Sequence, residues 1–590
     1  MQCVLLLEHQ LQITPSLELQ ELSRYNNQMQ FTKSPCLLIV IVFAMASQYA
    51  KAEAIAPSTP NAGSILQEIQ PNKSIIPPSS NNGVRIESSE DQALPESDPF
   101  KVEALKITGN QSFETDTLHA LVADQEGLSL TLRQLGGLAS IITRYYHEHN
   151  YPLAIAIIPA QTIQDGLVTI QVSEASYGDV VINNKSRLNA SLLSRSLIPL
   201  KSGDKITGDR LNQTLLLLND IPGIIVDTSI KKGDAQGTSD LLINTTDASR
   251  YKAYASIANS GSASIGRTRA NASVDLINPL GLGDVLTVNG LSSGSGMNYG
   301  RLSYELLVDG QGTRVGGAYS DLYYKLGQQY KALNVHGTSE NYSLWAKHPF
   351  VRSLNFNFYG QLEYDHVVLK DHVDIISAKT DRSLDHGVLS LSGDLRDQWG
   401  LGGMSYLNFS LTSGHLGFND AFAQSSDLMA GKTQGEFTKL NVTFNKLQQL
   451  NENTVLYGLF SSQWAYDNLD SSQKMVLGGP NSVRAYDVSV LSGDTAQLFT
   501  MELRSSIQSS FGVWQATVFY DAAHVAINHQ PWTTSKNDAN IQGVGLGMNW
   551  QNEAMWSAHI SVATPVGSEP SLLSKSTIGS RAWAEIRKDF

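Results

Sequence analysis

The second half of the chain alternates apolar and polar residues, most plainly in Leu354-Asn355-Phe356-Asn357-Phe358, Leu407-Asn408-Phe409-Ser410-Leu411 and Leu440-Asn441-Val442-Thr443-Phe444. A period of two sends every second side chain to the same face, so each segment predicts a strand with one apolar and one polar face. Sixteen such strand candidates follow one another from Tyr251 onward. The connections between them alternate as well. Short ones fall at Asp309-Gly310-Gln311-Gly312, His348-Pro349, Gln449 to Asn453, Ser509 to Gly512 and Trp550-Gln551-Asn552; long ones fall at 366–386, 413–435 and 466–495. Short turns opposite long loops, with an even strand number returning both ends to one side, describe a membrane-spanning β-barrel. The chain ends on Phe590, as such barrels commonly do, but Lys588 stands where a second apolar lipid-facing residue is expected.

Nearer the N-terminus the period changes. Residues 99–176 read as strand, helix, helix, strand, strand. Val102 to Thr108 is the first strand, and Leu135, Leu138, Ile141, Ile142 and Tyr145 mark one face of a helix over Leu132 to Glu148. Leu153 to Ile158 and Leu167 to Val172 are the closing strands, joined through Gln164-Asp165-Gly166, where Asp-Gly supplies the backbone freedom of a tight hairpin. The same order recurs over 177–248, with Val180 to Ile182, a helix around Leu192, a helix Gly208 to Asn219, and strands Ile224 to Ser229 and Asp240 to Asn244. The expected fold is therefore two α+β repeats followed by an all-β, 16-stranded antiparallel transmembrane barrel over 249–590.

Residues 53–98 are rich in Pro, Ser and Asn and predict a linker. One island, Ala62 to Ile69, has apolar residues at 65, 66 and 69 on a single helical face. Over 1–52, Lys33, the apolar stretch Pro35 to Ala46 and Ala50-Lys51-Ala52 read as an export signal with a small-x-small cleavage site. The residues before Met29 do not resemble a signal n-region, which marks Met29 as an alternative start. Cleavage after Ala52 would remove Cys3 and Cys36, leaving no thiol for a disulfide or a metal.

Composition sharpens this picture. Beyond the N-terminal segment no apolar run reaches the roughly 18 to 20 residues of a membrane helix, so a spanning chain must use a barrel. A net charge of −13 without a basic patch argues against nucleic acid as a partner.

The connection between Trp464 and Ala496 is, at about 30 residues, too long for a plain hairpin and points to a working loop. It holds Leu477-Gly478-Gly479-Pro480-Asn481-Ser482-Val483-Arg484-Ala485-Tyr486, and a later strand holds Phe519-Tyr520-Asp521-Ala522-Ala523. Tyr146, Asn150-Tyr151-Pro152, Ile158-Pro159-Ala160-Gln161, Asp165-Gly166, Glu174 and Tyr177-Gly178 resemble the first POTRA domain of the two-partner secretion outer-membrane transporters, the ShlB/FhaC/HecB-type haemolysin secretion/activation proteins. Asp220-Ile221-Pro222-Gly223 resembles the second.

The resemblance implies POTRA domains at 99–176 and 177–248 that dock an unfolded client in the periplasm, and a helix at 62–69 that plugs the pore. The long loop resembles the Val-Arg-Gly-Tyr loop of the wider POTRA-plus-barrel superfamily. That likeness implies a functional set of Gly478, Gly479, Val483, Arg484 and Tyr486 on the loop and Phe519 and Asp521 on the strand, with Arg484 paired to Asp521 inside the lumen. Ala485 and Ala523 stand where the family has Gly, and a positive φ at either would be strained.

The implied function is ATP-independent translocation of one large exoprotein, of haemolysin, haemagglutinin or adhesin type, to the cell surface. The implied partners are that client, outer-membrane lipid and the barrel-assembly machinery during biogenesis. Two alternatives remain at this point, an outer-membrane protein assembly factor and a passive porin-like channel; two POTRA units and the helical island favour secretion. No enzyme, cofactor or metal is expected. Gly290-Leu291-Ser292-Ser293-Gly294 fits G-x-S-x-G, but a hairpin follows it where a nucleophile elbow needs a helix. His147 and His149 are two apart on a helix and point to different sides.

Overall fold

Sixteen antiparallel strands form a closed barrel in the computed structural model, which describes residues 59–69, 85–86, 96–567, 570, 572–573 and 579–590. The expected signal region and most of the linker lie outside the described residues. Strands run from eight residues (Tyr251–Ala258) to twenty (Ala378–Asp397). The first strand closes on the last, Arg581–Asp589, from Tyr254 opposite Asp589 to Ala258 opposite Glu585, and the Phe590 amide donates to the Ala253 carbonyl at 2.9 Å. Closure is what makes a sheet tolerable in lipid, because an open edge would leave backbone donors and acceptors with no partner. The alternation sets the two faces. Along Thr495–Ser509, Leu498, Thr500 and Glu502 are buried inside while Phe499, Met501 and Leu503 are exposed outside.

Two expected connections are not connections. His348 and Pro349 sit within the strand Val335–Arg352, and the turn falls at 353–355. The register slips between Pro349 and Val351, an irregularity that accommodates a residue with no amide hydrogen for the ladder. Nor is 366–386 a loop. Strands Phe356–Val373 and Ala378–Asp397 pair right through it and turn only at 374–377. This hairpin carries polar residues on both faces, such as His366 facing Asp385 at 2.7 Å, so an apolar-polar rhythm is not there to be read. The connection expected at 413–435 is shorter, with the strand continuing to Phe418 and a helix Ala421–Met429 before Gly435.

Ahead of the barrel, Ala104–Thr108, Leu167–Ser173 and Ile155–Ile157 form a three-stranded sheet with Leu167–Ser173 in the middle. The helix Leu132–Glu148 covers it, started by a reciprocal cap between Thr131 and Gln134 and seated through Leu135, Leu138, Ile142 and Tyr146. Asp165 and Gly166 both take positive φ in the hairpin turn, 52° and 71°. In the next unit, strands Ser176–Asn184, Thr238–Asp247 and Ile224–Lys232 pack against helices Ala190–Ser196 and Gly208–Asn219. Arg85–Ile86 extends this sheet, pairing in parallel with Ser229 and Ile230. This second unit touches the barrel's near-end turns, with the Arg352 guanidinium on the Asp220 carboxylate at 2.6 and 2.9 Å and the Asn189 amide on the Gly281 carbonyl at 2.9 Å. The helix Ala62–Ile69 lies inside the barrel toward its far end, where Ile65 and Leu66 join inward side chains including Met297, Leu322, Leu369, Leu384 and Leu416 in one apolar cluster.

Candidate functional site

The loop 466–494 folds back into the lumen. Its ends pair as a small hairpin, Met475–Leu477 with Leu491–Gly493. Between them Gly478 and Gly479 take positive φ of 97° and 95°, a conformation that costs glycine little and lets the chain reverse tightly. The Gly479 amide donates to the Tyr486 carbonyl at 3.1 Å, and the Tyr486 amide to the Val483 carbonyl at 3.1 Å. Val483, Ala485 and Tyr486 pack with Leu477, Phe519 and Ala523 in a buried cluster. These contacts leave Arg484 aimed at the barrel wall.

There it meets Asp521, whose residue is 0% exposed. The guanidinium donates from Nε to Asp521 Oδ2 at 2.8 Å and from Nη2 to Oδ1 at 2.7 Å, and the Arg484 amide adds a third bond to Oδ2 at 3.1 Å. Thr500 donates its hydroxyl to Asp521 Oδ1 at 3.0 Å. The remaining arm, Nη1, lies 2.7 Å from Glu502 Oε1, and Arg504 holds the other oxygen of Glu502 at 2.7 Å. Phe519 places its ring 3.3 Å below the guanidinium carbon, and Trp583 of the last strand donates to the Arg484 carbonyl at 2.8 Å. Paired, stacked and bonded on every arm, this arginine fixes the loop in orientation as well as distance. The seven residues singled out from sequence are thus brought together. Thr500, Glu502, Arg504 and Trp583 were missed, although Thr500, Glu502 and Arg504 alternate with Phe499, Met501 and Leu503, a rhythm that marks them as inward.

Neither Ala485 nor Ala523 has positive φ, so the strain expected from their replacing glycine does not arise. The tight contact falls on the strand next to Asp521, where Gly543 is the ladder partner of Asp521. A side chain at Gly543 would overlap Ala485, so the wall strand supplies the glycine that this close approach of the loop requires.

A second luminal network holds the helix Ala62–Ile69. Asp371 accepts the Ala62 amide at 2.7 Å and the Tyr324 hydroxyl at 2.6 Å through one oxygen, and Arg382 at 2.7 Å through the other. Arg382 also reaches Asp470 of the long loop at 2.6 Å. Gly63 presses against Ser471 and Ser472 with no room for a side chain. At the other end of the helix Glu68 pairs with buried Arg269 and accepts the Ser262 amide at 3.1 Å. Sequence reading saw the helix but none of these partners, which come from strands far away in the chain.

Outside the barrel, Glu174 joins the two α+β units. It accepts the Gln111 and Ser112 amides and the Tyr146 hydroxyl, each at 2.7 Å, and the Lys205 ammonium at 2.5 Å. Burial alone would raise this carboxyl; the Lys205 ammonium and the donors around it outweigh burial and hold it down at about 2. Beside it the Asn150 amide group bonds the Asp209 amide at 2.8 Å and its carboxylate at 2.9 Å. His147 and His149 each face a backbone carbonyl, at 2.9 and 2.7 Å. Ser292 ends a strand and is followed by a hairpin to Met297. Among the described residues no group of three or more His, Cys, Asp or Glu side chains is placed to hold a metal.

A family model described as haemolysin secretion/activation protein ShlB/FhaC/HecB matches residues 237–550, and one described as POTRA domain, ShlB-type, matches 100–175. The heme/hemopexin transporter protein HuxB of Haemophilus influenzae is 30% identical over 465 residues, 78% of this chain and 82% of its own. The outer membrane transporter CdiB of Dickeya dadantii is 21% identical over 484 residues, 78% of this chain and 81% of its own. The solved structure of CdiB from Escherichia coli shares the fold, with a TM-score of 0.65 at 19% identity, covering 95% of this chain and 100% of that one.

Proposed function

This chain belongs to the ShlB/FhaC/HecB family of haemolysin secretion/activation proteins, and from that premise we propose how its parts divide the work of moving an exoprotein. It is an outer-membrane transporter of two-partner secretion, a 16-stranded barrel with POTRA-type α+β structure on the periplasmic side. The barrel's near end is therefore periplasmic and its far end faces the surface.

The client is one large exoprotein of haemolysin, haemagglutinin or adhesin type that arrives unfolded. The relatives named for heme/hemopexin transport support adding an exoprotein concerned with haem or haemopexin to that range. Capture falls to the edge strand Ile155–Ile157, which pairs with one strand only and exposes Ile155 and Ile157 by 47% and 44%; a client added there exchanges its bond for the one that the Ala156 amide makes to the Thr143 hydroxyl at 2.9 Å. An extended client can add to such an edge through main-chain hydrogen bonds that depend little on its sequence. The helix Ala62–Ile69 acts as a plug; its seat in the lumen, without continuity to any wall strand, is the observation that carries this reading over a passive channel. Folding at the surface supplies direction without ATP, and no catalytic step is assigned to the chain. Outer-membrane lipid surrounds the barrel, and the barrel-assembly machinery inserts it.

Proteoliposomes holding only the purified transporter, given unfolded client and no nucleotide, should accumulate protease-protected client. The Ile155→Pro variant, which removes a main-chain donor from the edge strand, should lose client binding while its barrel still folds. Translocation that needs ATP would overturn the energetic reading; normal client binding by Ile155→Pro would move capture to another edge.

A further inference from the structure

Lys588 is the residue that fits the barrel pattern least. Trp583 on the same strand points inward to the Arg484 carbonyl, so alternation turns Ile586, Lys588 and Phe590 outward. The Lys588 ammonium lies 5.7 Å from the ring centre of Trp556, directly across the ladder, and 5.6 Å from that of Phe590. It donates to the Ala554 carbonyl in the adjoining periplasmic turn, and no carboxylate among the described residues pairs with it. An outward cation between two aromatic rings at this level stands where lipid phosphates lie.

From Lys588 one row of cross-strand partners runs around the outer wall: Ala255, Ala272, Gly290, Gly300 and finally Asp321. Between the two charged ends, every member is alanine or glycine. The row toward the periplasm is bulky, with Val274, Val288 and Leu302 exposed to lipid, and Ile257 and Ile586 stand on the other side. The result is a largely apolar groove of about 880 Å³ on the membrane face, with Lys588 and Phe590 at one end and Asp321 and Tyr323 at the other. At Gly290 and Gly300 an added Cβ would meet nothing within 4 Å, so the glycines open the groove and satisfy no packing need inside the wall. Five strand spacings of about 4.8 Å make the row roughly 24 Å long, enough for an extended acyl chain to lie along it.

We propose that this groove is a binding site for a diacyl phospholipid of the periplasmic leaflet, its phosphate on the Lys588 ammonium and one acyl chain along Ala255, Ala272, Gly290 and Gly300. Charge decides which lipid. The sole outward ammonium of the row lies at the periplasmic end, while the outer end carries the Asp321 carboxylate, which repels the phosphates of the outer leaflet.

The test is native mass spectrometry of the full-length protein in detergent, titrated with phosphatidylglycerol. The wild-type chain should carry a discrete lipid adduct. Lys588→Leu should weaken it about fivefold, the effect of one lysine near an anionic lipid phosphate, and Lys588→Arg should retain it. Gly300→Leu, which fills the groove and leaves the cation in place, should reduce the adduct as well. Heat-modifiable mobility reports whether each variant has folded. An adduct that survives Gly300→Leu in folded protein would overturn the groove, one that Lys588→Leu leaves unchanged would overturn the headgroup contact, and tighter binding of lipid A than of phosphatidylglycerol would assign the site to the outer leaflet and overturn the proposal.

Discussion

Two arginines face each other's problem inside the same lumen and solve it differently. Arg484 comes from the loop and lies between two carboxylates of the wall, Asp521 and Glu502. Arg382 comes from the wall and lies between a carboxylate of the wall, Asp371, and one of the loop, Asp470. Together they fasten one loop at two points. The helix Ala62–Ile69 meets the second network through uncharged donors, its first amide on Asp371 and the Gln67 side-chain amide on the Ser472 carbonyl of the loop. If the helix leaves, Asp371 keeps Tyr324 and Arg382, and Arg382 keeps both its carboxylates. The charge left behind is Arg269, which loses Glu68. The loop is therefore a fixture whose removal strands charges on both sides, while the helix is a guest held at one costly point.

Breaking the fixture should have the largest effect. Arg484→Ala leaves the buried Asp521 without a cation, at about 3–5 kcal/mol, while Asp521→Ala removes the two parallel bonds and leaves Arg484 on Glu502 alone; both should abolish secretion while heat-modifiable barrel still reaches the outer membrane. The exchange Arg484→Asp with Asp521→Arg should recover more secretion per folded transporter than the product of the single losses; purely multiplicative losses would separate the two residues functionally. Arg484→Lys should fall between wild type and Arg484→Ala, because an ammonium cannot make the two parallel bonds to Asp521.

Releasing the guest should cost less. Deleting residues 62–70 should raise single-channel conductance in planar bilayers and leave secretion largely intact. Glu68→Ala should do the same in part: leaving Arg269 uncompensated, at about 3 kcal/mol, would raise the open fraction about a hundredfold. Unchanged conductance in both variants would mean that the helix does not limit the pore.

The smallest effect is expected at the periplasmic hub, which differs from both luminal networks in meeting solvent. Glu174 is held at about 2 against an ordinary 4.5, so its contribution to stability is complete above the ordinary value and is lost as pH falls from 4.5 toward 2. Pepsin cleavage between the two periplasmic domains of the intact chain should accelerate over that range. Glu174→Gln should be cleaved faster throughout and lose the dependence; an unaltered pH profile in this variant would remove Glu174 as its source.

The parts of the molecule that follow a local rhythm were legible in the sequence. The helices Leu132–Glu148 and Gly208–Asn219 begin and end where their apolar spacing places them, and sixteen strands were countable because some stretch of each has one apolar face. The rhythm fails where its cause is absent. Around His366 and Asp385 the hairpin has polar residues on both faces, and at Pro349 a residue that ordinarily ends a strand is absorbed by a shift in register. In the candidate site, Arg484 and Asp521 were legible as a pair because each sits in a distinctive short motif. Glu502, Trp583, Asp371 and Arg382 become neighbours of the loop and the helix only when the sheet closes, and no local pattern encodes that closure.

That closure has a kinetic consequence. Tyr254 to Ala258 must wait for Glu585 to Asp589, so the ladder that seals the barrel joins the two ends of the whole transmembrane chain. Contacts this distant are slow to form, since the entropy of closing the intervening chain is spent before any bond at the seam returns it. Until then both terminal strands present unpaired edges in a compartment full of other unfolded chains, the condition in which edge-to-edge aggregation begins. A chain lacking its last few residues should therefore be absent from the membrane rather than present as a slightly weaker barrel.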